Sequence, residues 1–370
     1  MSKTFHPPER LLMGPGPSNV HPRVLEAMSR KTIGHLDPKF VELMDDIKSL
    51  LKYAFRTENE VTFAVSGPGS LGMETCLVNL VEPGSKVIVC INGVFGGRMK
   101  SIVERCGASP VVVEDDWGKA IDLQKFEDTL KANPDAKVAT FVHAETSTGA
   151  RSDIKSLAEI AHKYDCLTIA DTVTSLGGIP LLIDEWNIDA SYSGTQKCLS
   201  CPPGLSPVTF NERAVEFVKK RKSQVQSWFM DLNLVLGYWG SGAKRTYHHT
   251  SPINSLYGLH EALLLLKEEG LENAWQRHKK NGKLLVDKLT ELGLSPMVKE
   301  NDRLPELTSV SVPGGIDEAK VRAELLNKYN IEIGAGLGAL AGKVWRIGLM
   351  GYTSNEENIL TLTKALKEIL

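Results

Sequence analysis

Residues 169–180 read IADTVTSLGGIP and residues 192–204 read YSGTQKCLSCPPG. The apolar run Cys166-Leu167-Thr168-Ile169-Ala170 delivers Asp171 at its end. Further on, Lys197 follows the small and polar residues Ser193-Gly194-Thr195-Gln196 and precedes Pro202-Pro203-Gly204. A surface lysine ordinarily has carboxylates for neighbours, yet Lys197 has no charged residue within seven positions on either side. That setting suits a lysine used as an amine rather than as a solvated charge.

Outward from this stretch, short β-branched runs recur at 61–65, 86–91, 110–113, 138–142, 167–170, 190–193 and 208–210. Amphipathic segments at 70–81, 95–106, 122–132 and 153–164 lie between most of them. The alternation predicts an α/β fold whose large, mostly parallel seven-stranded sheet is covered on both faces. Upstream, residues 1–20 form an extended arm, because LLMGPGPSN (11–19) cannot be helical. Residues 22–55 carry apolar positions at helical spacing.

The rhythm breaks after about residue 215: SWFMDLNLVLGYWGSGAKRTYHHTSP (227–252) is rich in aromatics and glycine without a clean period. A long helical stretch over 251–292, interrupted near Gly270, comes next. Strands at 307–312, 332–333 and 344–347 then alternate with helices at 317–328 and 355–369. These predict a smaller C-terminal α/β domain beginning near 255.

Composition narrows the function classes. The 370 residues are 42% hydrophobic and 24% charged, with a formal charge of −2 and no basic stripe. This argues against nucleic acid as a partner and for small molecules. No run approaches the apolar length of a membrane helix. The start lacks an apolar signal core, the end lacks an SKL-type tripeptide, and the six cysteines lie mostly in apolar runs, so a reduced cytoplasmic protein is expected.

In an open parallel sheet, ligands gather at the carboxyl ends of the strands. Three runs end in small, polar or acidic loops: 61–65 in Ser66-Gly67-Pro68-Gly69-Ser70, 138–142 in His143-Ala144-Glu145-Thr146-Ser147-Thr148-Gly149, and 167–170 in Asp171-Thr172-Val173. Lys197 follows a fourth run. The glycine loop matches neither GxxxxGK[ST] nor GxGxxG; before a helix it reads either as an anion cradle or as a tight turn without a ligand. Asp171 is either a helix cap or strand end, or a carboxylate that needs a cationic partner. An amine, an acid able to keep a heterocycle nitrogen protonated and a phosphate-type loop together suggest pyridoxal 5′-phosphate. Such an amine must be partly deprotonated, which calls for a desolvated or cation-adjacent position. Arg346, between Trp345 and Ile347 in an apolar strand, is either a carboxylate clamp or half of a structural ion pair.

The pieces LLMGPGPSN (11–19), SGPGSLGMETCLVN (66–79), HAETSTGA (143–150), ADTVTSLGG (170–178), SGTQK (193–197), YHHTSPI (247–253) and GKVWRIGLMG (342–351) span almost the whole chain. In content and order the chain resembles the class V aminotransferases of fold type I, most closely the alanine–glyoxylate and serine–pyruvate aminotransferases. The resemblance implies that Lys197 carries the cofactor and shuttles the proton at the substrate Cα, while Asp171 pairs with the pyridine nitrogen. Val173 and Phe95 would flank the ring, and Thr146 would lie near its oxygen. Gly69, Ser70 and Gln196 would take the phosphate, joined by Tyr247 and Thr250 of a partner subunit, which makes the protein a homodimer. Arg346 would clamp the substrate carboxylate, with Gly14 and Gly16 of the arm closing a small pocket that Thr146 also borders. The domains implied are an arm over 1–20 serving site and dimer, a large cofactor domain over 21–254 and a small domain over 255–370. The reaction implied is ping-pong transamination between alanine or serine and glyoxylate or pyruvate.

Read without the resemblance, Tyr247-His248-His249-Thr250 equally suggests a metal site, although no acid or cysteine accompanies it. Phe95 reads as an ordinary core aromatic, and Cys198-Leu199-Ser200-Cys201 as packing or as a lone CxxC. Cysteine desulfurases and selenocysteine lyases share the fold but need a nucleophilic cysteine late in the chain, and none follows Cys201. Ureidoglycine–glyoxylate, serine–glyoxylate and phosphonate-linked aminotransferases share the scaffold. A non-catalytic subunit would be expected to have lost Lys197, Asp171 or Arg346, and all three are present.

Overall fold

A computed structural model describes residues 3–240 and 245–370. Residues 241–244, within the aromatic segment, lie outside the described residues. In chain order the first elements are β1 (Leu11–Leu12), α1 (Pro22–Met28), α2 (Pro38–Phe55), β2 (Val61–Val65), α3 (Gly69–Leu80), β3 (Lys86–Ile91), α4 (Val94–Arg105) and β4 (Ser109–Glu114). Next come α5 (Leu123–Ala132), β5 (Val138–Val142), β6 (Ala144–Glu145), β7 (Ala150–Arg151), α6 (Ile154–Lys163), β8 (Leu167–Asp171), β9 (Ala190–Tyr192) and β10 (Ser206–Phe210). The chain ends with α7 (Glu212–Lys219), α8 (Leu232–Trp239), α9 (Ile253–Glu269), α10 (Leu271–Glu291), β11 (Leu307–Ser311), α11 (Glu318–Tyr329), β12 (Ile331–Glu332), β13 (Gly334–Ala335), β14 (Val344–Gly348) and α12 (Glu356–Ile369).

The large sheet has seven strands in the order β2-β10-β9-β8-β5-β3-β4. Every residue of β5 and β8 is buried, as expected of strands covered on both faces. The pairs from β9 to β4 are parallel, whereas β10 runs antiparallel to both β9 and β2. Reversing twice returns β2 to the common direction. The carboxyl ends of β2, β3, β5, β8 and β9 therefore share one rim.

Helix starts are specified locally. Asp37, Asp122, Asp153, Asn211, Asp317 and Asn355 each cap a helix by accepting a backbone N–H in its first turn. The helical stretch after 251 breaks at Gly270, whose φ of 85° suits a residue without Cβ. Two features differ from the sequence expectations. The aromatic segment contains a helix, α8, started by Asp231 capping the Asn233 N–H. The expected strand at 332–333 is divided between β12 and β13.

Two cores result. The first lies about the large sheet and takes in the apolar residues of α9 as well as Leu271 and Ala274 at the start of α10. The second surrounds a three-stranded sheet, β11-β14-β13, and includes Leu285 and Leu289 from farther along α10. Each fully buried side chain of the Leu or Ile kind contributes about 1.5–3 kcal/mol. The arm belongs to the second core: β1 pairs in parallel with β12, and Met13 is fully buried there. Among the described residues, no helix is long and apolar enough to cross a membrane.

Candidate active site

Asp171 ends β8 and is buried at the shared rim. Its Oδ1 accepts the Val173 N–H at 2.9 Å and its Oδ2 accepts the Tyr192 O–H at 2.7 Å. Burial pushes this carboxyl up to about 6, and the two hydrogen bonds partly offset the rise. Lys197, in the turn after β9, is only 8% exposed. Burial and then the Arg346 guanidinium lower its amine to about 8, the direction a nucleophilic amine requires.

Both side chains line one cleft of about 520 Å³, part of it open to solvent, and this size suits a small organic ligand. Gly69, Ser70, Phe95, Thr146, Val173 and Gln196 line it too. One end is the start of α3, whose N-cap, Pro68, provides no side-chain hydrogen bond to the N–H groups of the first turn. A Cβ on Gly69 would lie 3.3 Å from Val173 Cγ2, so the backbone approach is close. The buried Gln196 Oε1 has no hydrogen-bond partner among the described residues.

Phe95 lies on the first turn of α4, whose N-cap, Gly93, has no side chain. The missing cap comes from Glu145, fully buried at the rim. Its Oε2 accepts the Phe95 N–H at 3.1 Å, and its Oε1 accepts the Ser147 N–H at 3.0 Å and O–H at 2.6 Å. A Cβ on Gly93 would lie 2.5 Å from this carboxylate, so glycine is required for the approach. Burial raises the Glu145 carboxyl, and the hydrogen bonds oppose that rise.

Arg346, in the middle of β14, is buried and does not itself line the cleft. Its Nε donates to Ala335 O at 2.6 Å and its Nη1 to Thr146 O at 3.0 Å. Burial lowers this guanidinium to about 10, with the Glu145 charge working against the fall. The arm passes beside it. Lys197 Nζ donates to Pro15 O, and a Cβ on Gly16 would lie 2.5 Å from that Nζ. Gly14 instead packs against the Ile333–Gly334 backbone.

Tyr247 and Thr250 do not line the cleft of their own chain; both are exposed, Tyr247 by 61%. Their segment is nonetheless anchored at the rim. His249 Nε2 meets Ser66 Oγ at 2.7 Å, and His248 and His249 meet through their Nδ1 atoms at 2.8 Å. Cys198 donates to Thr174 O at 3.3 Å, and burial pushes both it and Cys201 up, Cys201 to about 12, which leaves the CxxC thiols unreactive. Sequence reasoning did not single out Arg98, Tyr192 or Glu145. The last is the acid in HAETSTG, and an acid in a rim loop was the signal available for it.

The class V aminotransferase family matches residues 10–360. The alanine–glyoxylate aminotransferase of Rattus norvegicus is 42% identical over 372 aligned positions, covering all of this chain and 90% of its own. A solved alanine–glyoxylate aminotransferase from Nostoc sp. is 46% identical with a TM-score of 0.97, covering 100% of this chain and 97% of that one. The solved ureidoglycine–glyoxylate aminotransferase of Bacillus subtilis is 37% identical, also with a TM-score of 0.97, covering 100% of this chain and 94% of that one. With the amine, the acid and the uncapped helix start around one cleft, and with likeness along its full length, the chain belongs to the class V aminotransferases.

Proposed function

We propose that the cleft holds pyridoxal 5′-phosphate and that the protein exchanges an amino group between alanine or serine and glyoxylate or pyruvate. The observation that carries this reading is that Lys197 and Asp171 line one cleft beside the uncapped start of α3. The residues present suit the group: a deprotonatable amine for an aldehyde, a buried carboxylate for a ring nitrogen, and free N–H groups for a phosphate. Gln196 also lines the cleft, where its amide N–H2 can donate to a phosphate.

When bound, the cofactor supplies the electron-withdrawing ring that stabilises negative charge at the substrate Cα. Lys197 provides the amine that tethers it and moves the proton at Cα. Asp171, fixed by Val173 and Tyr192, holds a proton on the ring nitrogen. Val173, Phe95 and Thr146 would hold the ring, and Gly69, Ser70 and Gln196 would hold the phosphate. Arg346 takes the substrate carboxylate in its fork, while Gly14 and Gly16 keep the space for the substrate side chain small. One cleft serves both half-reactions, so kinetics are ping-pong.

The exposed Tyr247 and Thr250 reach the phosphate in the cleft of a second copy, making the protein a homodimer. We read residues 1–20 as an arm serving site and dimer, followed by a large domain and a small one that separate within α10 rather than at 255, because α9 packs in the first core. The buried, free cysteines suit a reducing, cytoplasmic setting.

Ureidoglycine is the competing donor, since the Bacillus subtilis enzyme has an equally similar structure. A panel of alanine, serine and ureidoglycine against glyoxylate and pyruvate, read as kcat/KM, tests the assignment. Alanine or serine with glyoxylate should rank first, and Lys197→Ala should abolish turnover. A ureidoglycine optimum, or turnover by Lys197→Ala, would overturn it.

A further inference from the structure

The cleft is short of positive charge for the ligand proposed. Among the residues lining it, only Lys197 and Arg98 are cationic, and Asp171 is anionic. A phosphate monoester carries about −1.5 to −2 charges at pH 7. The start of α3 offers the equivalent of roughly +0.5. Lys197 faces Asp171 and is committed as an amine, which leaves Arg98.

Arg98 lies one turn along α4 from Phe95. Its Nη1 donates to Ser70 Oγ at 2.9 Å, beside the uncapped start of α3, and its guanidinium lies 4.9 Å from the Phe95 ring centroid. It has no carboxylate partner among the described residues. A hydroxyl has one proton to give and lone pairs to receive. With the Ser70 oxygen already accepting from Arg98, its own proton is free to point at an anion.

Building on the cofactor reading above, we propose that Arg98 is the phosphate counter-charge of this cleft, acting directly and through Ser70, and that it makes the protein select the phosphorylated form of its cofactor. The contact with Phe95 gives the same guanidinium a second effect, steadying the ring that faces the cofactor. Arg98 is exposed on α4, and its contacts with Ser70 and Phe95 are what set it apart from an arginine that meets solvent alone.

The experiment measures binding rather than turnover. Full-length protein stripped of cofactor is titrated with pyridoxal 5′-phosphate and, separately, with pyridoxal, following absorbance and intrinsic fluorescence. Arg98→Ala should weaken binding of the phosphorylated form about tenfold or more at low salt, change pyridoxal affinity far less and blunt competition by inorganic phosphate. Arg98→Lys should recover much of the loss, because lysine binds phosphate as a point charge. Equal affinity of wild type and Arg98→Ala for pyridoxal 5′-phosphate would overturn the proposal. So would an equal loss for both compounds, which would assign Arg98 to Phe95 alone. If wild type bound neither compound, the cofactor reading itself would fall, and this proposal with it.

Discussion

The two sides of the cleft are finished to different degrees. On the large-sheet side, donors are left over: among the described residues the start of α3 has no side-chain cap and Arg98 has no carboxylate. On the small-sheet side, Arg346 is already held by Ala335 O and Thr146 O, with Nη2 alone left without a protein partner among the described residues. The first is what a protein needs for a resident group that becomes part of its structure. The second is what it needs for a visitor, with the receiving side chain preset and few donors left to satisfy between visits.

The comparison is broken most severely through Asp171. Asp171→Asn keeps the shape and removes the charge, so kcat should fall about 10²–10³-fold, the scale of a lost preorganised electrostatic contact. Retention of wild-type kcat would mean that the large-sheet side is not electrostatically matched to its ligand. Arg346→Lys strikes the other side. KM for both the amino acid and the 2-oxo acid should rise about 10–100-fold, as expected for loss of a charged hydrogen bond, with a smaller change in kcat. An unchanged KM would remove Arg346 from substrate binding.

The smallest effect joins the two sides. Because the Lys197 amine is lowered to about 8, its neutral form dominates above that pH and declines below it. Capture of pyridoxal 5′-phosphate by stripped protein should therefore slow about fivefold from pH 8 to pH 7. Arg346→Met should move the midpoint upward, since the guanidinium is one cause of the lowering. A midpoint in the ordinary lysine range in wild type would mean that Lys197 is solvated. The same shift has a stability sign. Above about pH 8 the unfolded chain still binds a proton that the folded chain has released, so Lys197 favours folding increasingly as pH rises towards the ordinary lysine range.

The strands of the large sheet were legible because buried parallel strands are continuous apolar runs. The antiparallel course of β10 was not, since such a run carries no direction. The segment holding α8 misled because its aromatics and glycines hide the helical period. Pairing of β1 with β12 joins residues more than 300 positions apart and leaves no local trace. At the site, Lys197 and Asp171 stood out because each breaks the pattern around it. Arg98 did not, because an arginine among the polar residues of an amphipathic helix looks like solvated surface until its neighbours are known.

Helix α10 has Leu271 and Ala274 in one core and Leu285 and Leu289 in the other. Ala274 and Leu285 are about 16 Å apart along a helix that rises 1.5 Å per residue. The helix is thus a spar of fixed span. Its backbone ladder fixes how far apart along its axis the two cores take hold of it. Arg346, whose Nη1 donates to Thr146 O, is likewise registered against the cleft wall before any substrate arrives.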